Sequence, residues 1–311
     1  MTNSILSFVT TSRVVFYSII TLIGVFCLSS CSRFFFYPMK EIVQTPDKGG
    51  LTYRDISVTT RDNLRIHGWL LEAEKPKGIV FFLHGNAENI STHIGSVYWL
   101  PEHGYDVLLM DYRGYGLSEG KPDFPDVYLD VEAMHLWLNN YAGEKNLPIY
   151  ILGQSLGAAI STYYFSQIPY KQRHFDAVIL DSVFTGHKDI ARHTLQKNVI
   201  TWPFQFVVPW FLPGQYNPID HVANFSPTPL LIFHSESDKV LPIEGGKAVY
   251  EQAGEPKYWV TTKGPHIATF NFPSNQALLL RFLNDAGANP TVGSEATSHA
   301  QKDLSSSQSQ K

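Results

Sequence analysis

The sequence predicts an α/β domain built on a mostly parallel sheet with helices on both faces. Three observations predict it. Short apolar runs of strand length recur at Gly78 to Leu83, Asp106 to Met110, Ile149 to Leu152, Ala177 to Leu180 and Pro229 to Phe233. They lack polar alternation, the pattern of strands buried on both faces, and segments with helical apolar spacing separate them. The chain is also long enough for a large core, with 311 residues, 44% hydrophobic and 17% charged, a balance that argues against bulk disorder. Its 24 basic and 28 acidic side chains nearly cancel, which argues against nucleic acid as a main partner.

In chain order, the first element is an apolar stretch from Val14 to Leu28 behind a single positive charge, Arg13. It is shorter than the roughly 20 residues of a spanning helix and has the length of a signal-peptide core. Leu28-Ser29-Ser30-Cys31 closes it and resembles the bacterial lipobox, whose cysteine is lipidated and becomes the new N-terminus. Residues 1–30 are therefore expected to be a lipoprotein signal peptide and residues 31–50 an anchor and linker. Phe34-Phe35-Phe36-Tyr37 would lie at the lipid interface or on the domain edge. The mature protein would be lipid-anchored in the cell envelope, at the outer membrane where one exists, because Ser32 rather than an aspartate follows Cys31. A single-span signal anchor extending back to Ile5 is the alternative. The two cysteines, Cys27 and Cys31, stand too close together to staple a fold.

The domain is expected over residues 51–284. Leu51 to Val58 alternates with period two, turns at Arg61-Asp62-Asn63 and continues as Leu64 to Leu71, an antiparallel hairpin. The buried strands follow. Val127, Val131, Met134, His135 and Leu138 mark the clearest helix, with Asp123 and Asp126 as cap candidates. An insertion at about 182–228 separates two strands, and beyond Asn284 the composition turns polar, so residues 285–311 are expected to be a disordered tail.

The chemistry centres on Gly153-Gln154-Ser155-Leu156-Gly157, which follows a strand directly and opens a helix through Ala158-Ala159. In a nucleophile elbow the serine occupies a strained strand-to-helix turn, and its neighbours must be small because strand and helix cross closely. The Leu156 amide at the helix start faces a developing negative charge. A nucleophilic serine needs a base and an orienting carboxylate. His266, in the loop Lys263-Gly264-Pro265-His266 after Tyr258-Trp259-Val260, lies late enough to reach back over the elbow. Asp238 and Asp181 both follow strand ends, where open α/β sheets place ligands; the chain order serine, late acid, histidine favours Asp238. The turn His84-Gly85-Asn86-Ala87 offers the Asn86 amide as a second oxyanion donor, with His84 expected to shape the loop. His187, His193 and His234 are expected to be ordinary loop or cap residues. Arg113, in Asp111-Tyr112-Arg113-Gly114, reads as part of a packed structural loop.

The segments Gly78–Ala87, Asp111–Gly120, Ile149–Ala159, Leu231–Pro242 and Gly264–His266 together resemble the α/β-hydrolase superfamily, and within it the serine-hydrolase branch related to BEM46 and the α/β-hydrolase domain-containing proteins. The resemblance implies an α/β-hydrolase fold with an eight-stranded sheet whose second strand is antiparallel, and a small cap at the insertion. It implies Ser155 as nucleophile, His266 as base, Asp238 as its orienter, and the amides of Asn86 and Leu156 as oxyanion donors. Ile267-Ala268-Thr269 after the histidine departs from the more polar family pattern. The implied activity is hydrolysis of a small-molecule carboxylic ester or thioester through an acyl-enzyme, by a membrane-tethered protein without cofactor or metal. An amidase or peptidase of the same fold, and a non-catalytic binding or assembly lipoprotein, are the alternatives. The cap segment Trp202-Pro203-Phe204-Gln205-Phe206-Val207-Val208-Pro209-Trp210-Phe211-Leu212-Pro213 is expected to pack the insertion onto the sheet, its other uses being to wall an acyl pocket or touch a bilayer.

Overall fold

The computed structural model describes residues 36–197 and 199–288. The lipobox with Cys31 and the polar tail beyond residue 288 lie outside the described residues. Eight strands form one sheet: β1 (Tyr53–Thr59), β2 (Arg65–Leu71), β3 (Gly78–Leu83), β4 (Tyr105–Met110), β5 (Ile149–Gln154), β6 (Ala177–Asp181), β7 (Leu230–Ser235) and β8 (Lys257–Thr262), in the order β1-β2-β4-β3-β5-β6-β7-β8. β2 runs antiparallel to both β1 and β4, and every other pairing is parallel. This is the α/β-hydrolase fold the sequence predicts.

The apolar runs read as strands buried on both faces. Along β3, Ile79, Phe81 and Leu83 point into one core, while Val80 and Phe82 point into the other. Helices α1 (Val127–Lys145) and α2 (Leu156–Ser166) cover the first face. The segment 90–105 and the C-terminal helix cover the second. That helix spans Pro273–Ala288, beyond the Asn284 boundary expected for the domain, because Tyr105 donates its hydroxyl to Asn284 at 2.8 Å and holds the last turns on the sheet.

Three further expectations are corrected. Residues 36–50 are docked, not a linker: Phe36 is buried, and the Asn89 amide donates to the carbonyls of Met39 and Glu41. Asp126 stands at the α1 N-cap position but makes no capping bond; its helical backbone conformation does not direct the carboxylate onto the first turn, and it lies 3.5 Å from Arg113 instead. The cap aromatics do not pack onto the sheet. After α3 (His187–Leu195), Trp202, Phe204, Phe206 and Trp210 are exposed, because their two short 3-10 turns, Trp202–Phe206 and Val208–Phe211, pack mainly against α3 and each other. The insertion is buried on either side of these turns, through Val183, Phe184 and His187 before them and Leu212, Tyr216, Val222 and Phe225 after them. Arg113 does anchor a packed loop: its buried guanidinium bonds Asp130 of α1 and Asp62 of the β1–β2 turn.

The strand order places the functional region. The chain moves outward from β3 to β4 and then returns past β3 to β5, so the order reverses between β3 and β5, where open sheets form ligand crevices at their C-terminal ends. Leu83, the last residue of β3, pairs with Gly153 at the end of β5. A Cβ added to Gly157 would lie 2.0 Å from the Leu83 carbonyl oxygen, and one added to Gly153 would lie 2.6 Å from the Gly157 carbonyl oxygen. Gly157→Ala is therefore expected to lower the urea-unfolding free energy by about 1–3 kcal/mol or more, the cost of forcing a methyl into a packed crossing; equilibrium denaturation followed by circular dichroism measures it.

Candidate active site

Ser155 sits between β5 and α2 with φ 52° and ψ −113°, a conformation sparsely allowed for a residue with a side chain. Its N–H donates to the Asp181 carbonyl at 2.9 Å, which pins the turn to the neighbouring strand. The hydroxyl thereby projects above the C-terminal edge of the sheet, with Leu156 as the first helical residue behind it. First-turn amides have no acceptor within their own helix and carry the positive end of its dipole.

His266 reaches this hydroxyl from the loop after β8. Its Nε2 lies 3.0 Å from Ser155 Oγ, and its Nδ1 lies 2.6 Å from Asp238 Oδ2. With Nδ1–H donated to the carboxylate, Nε2 is left to accept from the serine. The two loops are tied together: Ser235 Oγ donates to the Gly264 carbonyl at 2.6 Å, and Gly264 takes φ 102°, a conformation that favours glycine. The Asp238 side chain is completely buried. Its second oxygen accepts the amides of Val240 and Leu241 at 2.8 and 2.9 Å. Burial works to raise its carboxyl, but the bond and charge of His266 and the two amides outweigh it and hold the group below its ordinary value.

The β3 turn closes the other side. A Cβ at Gly85 would be 3.5 Å from the Ser155 Cβ, so the turn abuts the elbow and leaves Asn86 next in line. Ala87 and Glu88 both adopt positive φ, and the Asn86 side-chain oxygen accepts from the Tyr37 amide, the Tyr115 hydroxyl and the Ala87 amide. His84 is fully buried at the strand end, its Nδ1 paired with the Gly85 carbonyl at 2.7 Å, and burial beside His93 pushes its imidazole well below the ordinary value. It shapes the turn, as the sequence suggested.

The structure thus brings together Ser155, His266, Asp238, the β3 turn with Asn86, and the α2 start with Leu156. Asp181 is not part of the histidine pair. Its buried carboxylate accepts from Thr269 Oγ1 and Gln154 Nε2, both at 2.7 Å, and so fastens the loop carrying His266 to the strand carrying the elbow. Sequence reasoning placed Asp181 at a strand end and missed this tethering, whose partner Thr269 lies three residues past the histidine. Asp111 and Asn89 also went unsingled: Asp111 accepts the Ile90 amide and Asn89 caps the single turn Ile90–His93, together setting the path out of the β3 turn. His234 proves to be a fully buried β7 residue bonded to the Leu241 carbonyl rather than a loop or cap residue, whereas His193 lies in α3 of the cap insertion. Among the described residues, no group of three or more His, Cys, Asp or Glu is placed to hold a metal ion. A cavity of about 670 Å³ lined by Asn146, Pro148, Arg173 and Asp176 opens at the N-terminal ends of β5 and β6, the opposite edge of the sheet from Ser155.

Comparison with known proteins agrees with this fold. The chain matches the serine aminopeptidase S33 family over residues 74–224. It is 30% identical over 251 residues to the uncharacterized protein YfhR of Salmonella typhi, covering 76% of this chain and 81% of that protein. The chain belongs to the α/β-hydrolase superfamily. A second relative is the lysophosphatidylserine lipase ABHD12 of Danio rerio, 30% identical over 232 residues, 70% of this chain and 57% of the relative. Among solved structures, an esterase of Pyrococcus furiosus superposes with a TM-score of 0.63 at 23% identity, over 80% of this chain and 98% of that one. An α/β hydrolase of Vibrio vulnificus gives 0.65 at 19% identity, over 84% and 91%. At these identities the structural likeness speaks for the fold.

The depressed Asp238 carboxyl has a consequence for stability. A group held below its unfolded value, near 3.9 for aspartate, stabilises the fold above that pH, and the contribution is lost as pH falls through the folded value. Asp238→Asn should therefore be less stable than wild type at pH 7, with the gap narrowing toward pH 3; urea midpoints taken across that range measure it.

Proposed function

We propose that this protein is a serine hydrolase of small-molecule carboxylic esters or thioesters, tethered to a membrane by its N-terminal segment. The observation that carries the reading is the continuous Ser155–His266–Asp238 chain at the switch point of the sheet, with bonds of 3.0 and 2.6 Å. Ser155 Oγ attacks the acyl carbonyl while His266 Nε2 takes its proton. Asp238 holds the ring in the required tautomer and stabilises the imidazolium that forms. The oxyanion of the tetrahedral intermediate lies between the amides of Leu156 and Asn86, donors whose placement costs no reorganisation during the reaction. Collapse releases the alcohol or thiol with the proton from His266 and leaves an acyl-Ser155 ester. Water then attacks that ester with His266 again as base, releasing the acid and restoring the serine.

The lipase activity named for the zebrafish relative supports an ester substrate, whereas the aminopeptidase description of the matching family supports amide cleavage by the same constellation. Parallel assays with p-nitrophenyl butyrate and an amino-acid p-nitroanilide decide between them, and the ester is expected to be turned over faster. Ser155→Ala should abolish labelling by a fluorophosphonate probe and lower kcat by roughly 10⁴-fold or more; labelling retained in the variant would remove Ser155 from its role.

The tether reading rests on the lipobox-like Leu28-Ser29-Ser30-Cys31. Among the described residues no helix is long and apolar enough to cross a membrane. Cys31→Ala is expected to lose metabolic palmitate labelling and to accumulate as an uncleaved precursor, read by gel mobility; unchanged labelling would refute the lipobox.

A further inference from the structure

The cap carries an apolar surface that the catalytic geometry leaves unexplained. From residue 198 to residue 219 the chain contains no Asp, Glu, Lys or Arg. Within that stretch Val199, Trp202, Phe204, Phe206, Val207 and Trp210 stand exposed, Trp210 at 81% and Phe206 at 61%. Trp202 and Phe206 meet edge to face at 5.4 Å, so the residues form a patch rather than scattered side chains. Soluble surfaces rarely concentrate apolar side chains in this way without a partner.

The position of the patch narrows what that partner is. α3 crosses the mouth of the site: Ile190 packs on the cluster of Ala159, Phe184 and Leu241, and Lys197 just past its end donates to the carbonyl of Lys239, the residue after Asp238. The aromatic turns follow the C-terminal end of α3. At its N-terminal end, His187 packs against Phe124 at 5.0 Å, and Phe124 in turn meets Phe36, the first described residue, also at 5.0 Å. The apolar stretch Val14 to Leu28 precedes that point in the chain. Phe36 thus reaches the N-terminal end of α3 through two ring contacts, and the aromatic turns follow the other end of this helix of nine residues, roughly 14 Å long. Two exposed basic side chains lie at the start of the patch, Arg192, 3.7 Å from Asp189, and Lys197, bonded to the Lys239 carbonyl, and basic side chains near a bilayer surface attract anionic headgroups.

We propose that the cap segment 199–210 is a lipid-docking surface: its Trp and Phe side chains insert at the interface of the bilayer to which the N-terminus is tethered, and turn the mouth beneath α3 toward amphiphilic acyl substrates in that bilayer. Aromatic residues of this kind favour the headgroup level, where one end of the ring is apolar and the other wet. A second apolar contact also converts a single reversible anchor into firm attachment. This inference rests on the ester-hydrolase reading for its substrate and on the tether for its geometry, but it is tested apart from both.

The full chain is reconstituted in vesicles of phosphatidylethanolamine and phosphatidylglycerol, with and without brominated acyl chains. Bromine is expected to quench part of the tryptophan emission of the wild type, and Trp202→Ser with Trp210→Ser is expected to remove most of that quenching. In the double variant, and separately in Phe204→Ser with Phe206→Ser, hydrolysis of a vesicle-embedded acylglycerol should fall roughly tenfold, while turnover of soluble p-nitrophenyl butyrate stays at the wild-type rate and certifies the fold. Equal quenching in wild type and variant, or unchanged vesicle turnover, overturns the proposal. So does a particle mass by light scattering that halves in the variants, which would show that the patch covers a second copy of the chain. A wild type quenched by brominated lipid yet inactive on the soluble ester would sustain the docking surface and refute the hydrolase reading instead.

Discussion

The crossing of β5, α2 and the end of β3 is the constraint on which the rest of the structure depends. Gly153 and Gly157 leave no Cβ where a backbone carbonyl lies within 2.6 and 2.0 Å of the position one would take. Their absence lets α2 leave the sheet at once, and the intervening Ser155 is driven into positive φ. The strain is offset by contacts on both sides, the Asp181 carbonyl taking the Ser155 amide and the β3 turn packing against the serine Cβ. Because the strand order reverses between β3 and β5, the elbow and the turn carrying Asn86 end side by side without any long insertion.

Around that crossing the buried charges divide their tasks. Asp238 and Asp181 are both fully buried carboxylates at strand C-terminal ends, and their surroundings separate them. Asp238 gathers His266 and two backbone amides, which hold it charged against the effect of burial. Asp181 gathers the neutral donors Thr269, Gln154 and Ser182. Burial raises its carboxyl, those bonds offset part of the rise, and its task is mechanical. His84 shows the same principle for a base: buried without a carboxylate in hydrogen-bond contact, it is kept neutral and serves as packing beside Tyr112 and His93.

The cap obeys a different rule from the core. Tyr216, Val222 and Phe225 tie its later half to the domain, whereas the aromatic turns after α3 find no apolar surface to cover. A soluble domain would bury Trp and Phe at such density, since each gives up a large area of contact with water. Their exposure leaves an apolar surface after α3, while residues 36–50 dock on the β3 turn through Asn89.

The sequence by itself determined the layer architecture and singled out the candidate site residues. Apolar runs of strand length and the close-packed glycines of Gly153 to Gly157 are local signals, and local signals survive without knowledge of partners. Ser155, His266 and Asp238 were legible because each follows a strand end in an order that leaves few alternatives. Other features were decided by tertiary structure alone. Asp126 reads as a helix cap until Arg113 is seen within 3.5 Å. Thr269 reads as a loop residue until it meets Asp181 across 88 positions of chain. The cap aromatics read as core because apolar composition reports what a residue is and says nothing of whether a surface waits opposite it. Burial is a property of pairs brought together by the whole fold, and no stretch of one chain records the face that its partner presents.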